Sequence, residues 1–241
     1  SPLRPIAMTS KIFILPALAA LVLGLSPARA QQGQVTLEFL SFPKTSKPPE
    51  VELLVAKGKT ETVKLPSHTL SQPIKVPALA TWQLGKSGED AEGKFTFEPY
   101  GKAKALKARN QLIIVLRKGK EAKDGFSMLA LDGSTKGFAE KQFLLMNLAG
   151  QEVAGEVGGK KFRLAPGKHA ILQPEADRGP KLCHASLLYQ RNGKWRSFFS
   201  TNWPLLEKQR GLVFVYQQPG RKTMQLHTVV DSLLVIPPDG E

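Results

Sequence analysis

The sequence predicts an all-β protein, two β-sandwich domains in tandem behind a cleaved N-terminal signal peptide. Three observations lead there. Short apolar or alternating runs follow one another closely, each bounded by Gly, Pro, Ser or Lys. No segment sustains a helical apolar period over three turns. The first thirty residues are of a different kind from everything after them.

That opening segment has a lysine, Lys11, then an apolar run from Ile12 to Leu25 interrupted by Pro16 and Gly24, then Ala28-Arg29-Ala30. A short basic region, an apolar core and small residues at an A-x-A site form the pattern of an export signal. The run is shorter than the roughly 20 apolar residues a spanning helix needs. Cleavage after Ala30 is therefore expected, with Ser1 to Ala7 upstream of the start at Met8, and with the exported chain beginning at Gln31 in the periplasm or outside the cell. No later run approaches spanning length, so no transmembrane segment is expected in the exported chain.

Strand signals fill the rest. Val35 to Phe42 nearly alternates, and Val51 to Ala56 and Thr60 to Leu65 flank the tight turn Lys57-Gly58-Lys59. Ile74 to Val76, Thr81 to Leu84 and Lys94 to Glu98 follow, the last alternating cleanly. Gly101 to Ala108, rich in Ala and Lys, reads as one short helix. Leu112 to Leu116 is continuously apolar and β-branched, as a central strand would be. Later strands are expected at Lys141–Asn147, Val153–Val157, Lys161–Leu164, His169–Leu172, Ala185–Gln190, Trp195–Ser200, Leu212–Tyr216 and Met224–Val230. Gly158-Gly159 and Asn192-Gly193 are hairpin turns, because both central residues of such turns need positive φ.

One correspondence suggests duplication. Lys107-Ala108-Arg109 leads into Leu112–Leu116 and a run closed by Asp132; Lys208-Gln209-Arg210 leads into Leu212–Tyr216 and a run closed by Asp231. The domains are expected at 31–135 and 140–236, joined through the Gly/Ser/Lys stretch Gly133–Glu140, with 237–241 a disordered tail. Phe143-Leu144-Leu145-Met146-Asn147-Leu148, followed by the Gly158-Gly159 hairpin and the Pro166-Gly167 turn, resembles exported bacterial proteins of uncharacterised function built from immunoglobulin-like sandwiches. The resemblance implies an immunoglobulin-like fold and carries over no functional residue; the Cys–Trp–Cys framework of antibody domains is absent.

Charge and cysteine usage narrow the function classes. The chain of 241 residues carries a net +14; losing residues 1–30 removes Arg4, Lys11 and Arg29 and no acid, which leaves +11. Such a surplus draws acidic partners. For an exported protein these are an anionic envelope polymer or another envelope protein rather than nucleic acid. Cys183 is the single cysteine, so an internal disulfide is impossible; in its apolar setting it reads as a buried small hydrophobe.

Motifs for catalysis and cofactors fail on physical grounds. Gly85-Lys86-Ser87 lacks the upstream glycine of a phosphate loop and is followed by Glu89 and Asp90, which repel phosphate. His68, His169, His184 and His227 have no metal-ligand spacing, and Glu89, Asp90 and Glu92 do not match a calcium loop. Ser186 sits in no nucleophile turn. No cofactor, metal site or catalytic set is therefore assigned.

Two features remain as binding candidates. Tyr189, Trp195, Phe198, Phe199 and Trp203 cluster around the Asn192-Gly193 turn; most belong to a core, but Trp195 and Trp203 are the candidates for stacking on a sugar ring beside Lys194 and Arg196. Basic clusters lie at Lys102 to Arg109, at Arg117, Lys118, Lys120 and Lys123, and at Lys160, Lys161, Arg163 and Lys168. These either bind polyanions, with Lys118, Lys120, Lys160 and Lys161 as the contacts, or guard exposed strand edges from pairing. The sequence thus points to non-enzymatic binding or scaffolding in the envelope through basic loops. The alternatives are a hydrolase of an envelope polymer with a dispersed site, and an assembly subunit pairing through an edge strand.

Overall fold

The computed structural model describes residues 33–218, 220–221 and 223–233. The expected signal peptide, the tail at 237–241 and the outermost residues of both expected domains lie outside them. The described chain is all β apart from one turn of 3₁₀ helix, Ala122–Asp124.

The first half contributes β1 (Gln34–Phe42), β2 (Glu50–Ala56), β3 (Lys59–Lys64), β4 (Ile74–Pro77), β5 (Thr81–Glu89), β6 (Phe95–Lys104), β7 (Asn110–Arg117) and β8 (Phe126–Asp132). They form two sheets, ordered β4-β1-β7-β8 and β3-β2-β5-β6. The second half contributes β9 (Phe143–Asn147), β10 (Val153–Val157), β11 (Lys160–Leu164), β12 (His169–Leu172), β13 (Leu182–Arg191), β14 (Lys194–Pro204), β15 (Gln209–Gln217) and β16 (Met224–Ser232). Their orders, β12-β9-β15-β16 and β11-β10-β13-β14, repeat the first half strand for strand. Even the parallel pairs correspond, β1 with β7 and β9 with β15. The expected match of Leu112–Leu116 with Leu212–Tyr216 falls on equivalent central strands.

Residue alternation sorts the cores. Leu37, Phe39, Ile113 and Val115 face the outer sheet of the first half, where they meet Leu53, Val63, Trp82 and Leu84. Leu145, Val213 and Val215 do the same in the second half, against Val153, Cys183, Leu187 and Trp203. The other faces of the two inner sheets share one apolar layer: Leu40, Phe42, Leu112 and Ile114 with Leu144, Met146, Leu212 and Phe214. Strands buried on both faces lose the polar half of their alternation. That is why Leu112–Leu116, Phe143–Asn147 and Leu212–Tyr216 read as continuous apolar runs.

Turns follow their chemistry. Asn192 and Gly193 have φ of 51° and 73°, and Gly158 and Gly159 have 51° and 75°, the paired positive values of a two-residue hairpin turn. Asp90 caps its own turn by accepting from the Glu92 and Lys94 amides.

Two expectations are corrected. Gly101–Ala108 forms no helix: β6 runs through Gly101 to Lys104, and the segment beyond is strapped to buried Gln111. That side chain donates to the Leu106 and Ala108 carbonyls at 2.8 and 3.0 Å and accepts from Trp82 Nε1 at 2.8 Å. A local preference for helix yields to these tertiary bonds. Thr81–Leu84 and Lys94–Glu98 are also too short, since β5 and β6 pair through Gly85 and Pro99. Gly85 allows this because a Cβ there would stand 2.1 Å from the Glu98 carbonyl oxygen.

The connection at 133–140 is pinned rather than slack. Phe138 is buried in the shared layer, and Arg210 donates to the Phe138 carbonyl at 2.6 Å and to the Gly133 carbonyl at 2.8 Å. The guanidinium also pairs with Asp231 at 2.6 Å, both side chains being buried. Glu38 faces the same layer. Burial pushes its carboxyl above the ordinary glutamate range, the Asp231 charge pushes it further, and Arg210 opposes both. An acid raised on folding favours the folded state when protonated and loses that advantage as pH rises through its folded pKa. The gap between Glu38→Gln and the wild type, followed by thermal unfolding, is therefore expected to move in favour of the glutamine as pH rises from about 4 to about 7.

Candidate functional site

Parallel pairing decides where loops meet. Because β1 and β7 run in the same direction, with Phe42 opposite Leu116, their C-terminal ends emerge side by side at one end of the inner sheet. The segments that follow, Pro43-Lys44-Thr45 and Lys118-Gly119-Lys120, together with Arg117, line a cleft of about 360 Å³. Every ionisable group in that lining is a cation.

Both walls are fixed. The Thr45 amide donates to Ser67 Oγ at 2.9 Å, and Ser67 Oγ donates back to the Thr45 carbonyl at 3.2 Å. Ser67 is itself held from the second half, its carbonyl lying 2.6 Å from His227 Nε2. On the other wall the Lys118 amide donates to the Gly125 carbonyl at 3.0 Å, which closes the hairpin between β7 and β8. Asp124 accepts from the Glu121 amide at 2.9 Å and sits beneath Gly119, where a Cβ would come within 2.1 Å of its carboxylate. Glu121 pairs with Lys123 at 2.9 Å. The two acids of this loop are thus engaged within it, whereas Lys44, Lys118 and Lys120 pair with no carboxylate among the described residues.

Arg117 closes the floor. Its Nη2 donates to the Pro43 carbonyl, while its Nε is buried without a hydrogen-bond partner among the described residues. Burial alone lowers the pKa of this guanidinium below its ordinary value. A partly buried cation with an unused donor, beside three unpaired lysines, has unmet demand for an anion. At the equivalent strand end of the second half stands neutral Gln217, which accepts from Gln151 at 3.3 Å and donates to the Arg221 carbonyl at 2.7 Å. The repeated strand order does not require a cation there, so Arg117 is a departure specific to the first half.

The remaining candidates lie on the second half. Lys160 pairs with Glu175, and Lys161 stands exposed opposite Glu156. Lys194, Trp195 and Arg196 are exposed at the start of β14. Trp195 lies 5.4 Å from the Arg163 guanidinium, which is itself forked onto Glu152 at 2.6 and 2.7 Å. Trp203 requires correction: it is only 7 % exposed and packs between Phe143 and Phe199, at ring distances of 5.0 and 5.8 Å. The bulge at Phe198 explains this, because the extra residue shifts the register so that Trp203 sits opposite buried Cys183. Cys183 is fully buried, and burial, with the nearby Asp177 charge, pushes its thiol up to about 11. Of the histidines, His68 and His227 approach each other, at 5.9 Å between rings. Sequence reasoning missed Lys44, since nothing in Pro43-Lys44-Thr45 announces that its strand pairs in parallel with one so much later in the chain.

No protein family and no curated protein matches the sequence. Among solved structures, a human group IVD cytosolic phospholipase A2 aligns at 12 % identity and a TM-score of 0.23, covering 83 % of this chain but only 32 % of that one. A candidate cell adhesion protein from Bacteroides uniformis aligns at 12 % identity and a TM-score of 0.21, covering 84 % of this chain and 98 % of that one. Neither likeness is close enough to speak for a shared fold or function. No helix among the described residues is long and apolar enough to cross a membrane.

Proposed function

We propose that the protein is an exported, non-enzymatic envelope protein that binds an anionic polymer through the cleft between Lys44 and Lys118–Lys120. The observation that carries this reading is the uncompensated cationic lining, in which Lys44, Arg117, Lys118 and Lys120 are joined by no acid. A phosphate or carboxylate group seated there gains charge-assisted contacts with several cations at once, each contributing about 0.2–1 kcal/mol at these exposed lysines. The rest of a long polymer lies along the basic rim, where attraction is weaker and screened by salt.

The test is co-sedimentation of residues 31–241 with a purified envelope fraction across a salt titration. Binding is expected to weaken as salt rises, and the double variant Lys118→Glu/Lys120→Glu is expected to bind at least about tenfold more weakly. Lys160→Glu, which alters a cation already engaged by Glu175, is expected to change binding less. Undiminished binding by the double variant refutes the proposal.

A further inference from the structure

The two halves differ along one seam. In the first half the edge strands of the two sheets, β6 and β8, press together: a Cβ on Gly101 would stand 2.7 Å from Phe126 Cβ and 3.0 Å from the Phe126 carbonyl oxygen. The seam is closed by that approach. In the second half the equivalent edges, β14 and β16, leave between them a crevice lined by Phe143, Trp203, Leu206, Thr228 and Val230. Val230 is 52 % exposed and Leu206 38 %. An open apolar seam beside two strand edges is what natural β proteins usually cover or charge.

The edges are also guarded differently. β6 carries Glu98, Pro99, Lys102 and Lys104, which obstruct the addition of another strand. On β14 the cations stop at Arg196, and Ser197-Phe198-Phe199-Ser200-Thr201-Asn202-Trp203 is uncharged and rich in residues that favour strands. In the sheet order no described strand lies beyond β14. In a chain with a net +14 this is an unusual place to omit lysine.

We infer that β14 is a dimerisation edge, pairing antiparallel with β14 of a second copy about a two-fold axis near Thr201. The charge pattern selects this occupant. Every exported copy is strongly basic, so association needs a segment without cations. Antiparallel pairing over Phe199–Trp203 meets that need, because Lys194 and Arg196 of each copy fall outside the paired stretch. Within it Ser200 lies opposite Asn202, and Phe199 lies opposite Trp203, pairings of hydroxyl with amide and of ring with ring. The bulge at Phe198 ends the flat part of the strand and so limits the paired length. Phe199, Thr201 and Trp203 pair with buried Leu187, Ala185 and Cys183 and thus face the sandwich interior. The second copy therefore extends the core over the open seam and shelters Leu206 and Val230. A two-fold contact of this kind is self-complementary and closed.

Sedimentation equilibrium of residues 31–241 tests this, since they hold the whole compact unit that begins at Gly33. The mass is expected to rise toward twice that of the monomer over about two decades of concentration, at low and high salt alike. Thr201→Lys places two ammonium groups near the axis, and Ser200→Lys adds a cation at an exposed position that folding does not depend on; each is expected to weaken the dimer about tenfold or more. Thr96→Lys, on the already charged edge β6, is expected to leave it unchanged. A protein that stays monomeric throughout overturns the inference. So does a dimer that dissolves in salt, one that survives both β14 variants, or one equally weakened by Thr96→Lys.

Discussion

Arg210→Ala is expected to lower stability by about 3–5 kcal/mol, because it leaves Asp231 charged and unpaired in the shared layer. It also strips the Gly133 and Phe138 carbonyls of their donor and removes the guanidinium from over the Phe138 ring, 4.6 Å away. For a compact unit of this size each kcal/mol shifts Tm by about 2–4 °C, so a fall of about 10 °C should appear in a thermal melt. The sign of a second variant separates charge from packing. Arg210→Met/Asp231→Leu removes both charges and fills similar space, and it should recover most of the loss. If the double variant is no more stable than Arg210→Ala, the damage lies in the lost carbonyl bonds at 133–140 rather than in the stranded carboxylate.

The second large effect concerns the layer itself. Phe214 is 1 % exposed and stacks on Phe42 at 5.4 Å, a contact between the two halves. Phe214→Ala should cost about 3–5 kcal/mol, the usual price of emptying a buried aromatic site. Because Leu112 and Ile114 of the first half line the same layer, the loss should be shared. Calorimetry is expected to show one transition displaced as a whole, and hydrogen exchange should quicken in β7 as well as β15. Unchanged protection in β7 would mean that the halves open independently.

What the sequence disclosed depended on the distance between the residues concerned. The Asn192-Gly193 and Gly158-Gly159 hairpins are settled by adjacent residues, and they are where expected. Leu112–Leu116 and Leu212–Tyr216 announced strands without a polar face, but not what lies over that face; it is the other half of the same chain. The Gly101–Ala108 segment misled because its alanines and lysines carry a local preference that Gln111 overrides from a neighbouring strand. Trp203 misled through a bulge, which no alternation pattern displays. For the cleft, Lys118 and Lys120 were visible as a basic cluster. Lys44 and the unpaired Arg117 Nε emerge only once β1 and β7 are placed side by side.

The parallel pairing has a further consequence, for the order in which the protein can form. Thr36 must find Asn110, and Phe143 must find Gly211, before either inner sheet has its central pair. Contacts so remote along the chain slow folding, since loop closure precedes any reward. Hairpins such as β13–β14 can form early; the inner sheets complete late, the second one only when β15 and β16 arrive. Until then Leu40, Leu112 and Ile114 present an apolar face with nothing upon it. A chain synthesised from its N-terminus therefore carries an adhesive first half until its last strands arrive, and its yield should respond to a holding chaperone present during that interval.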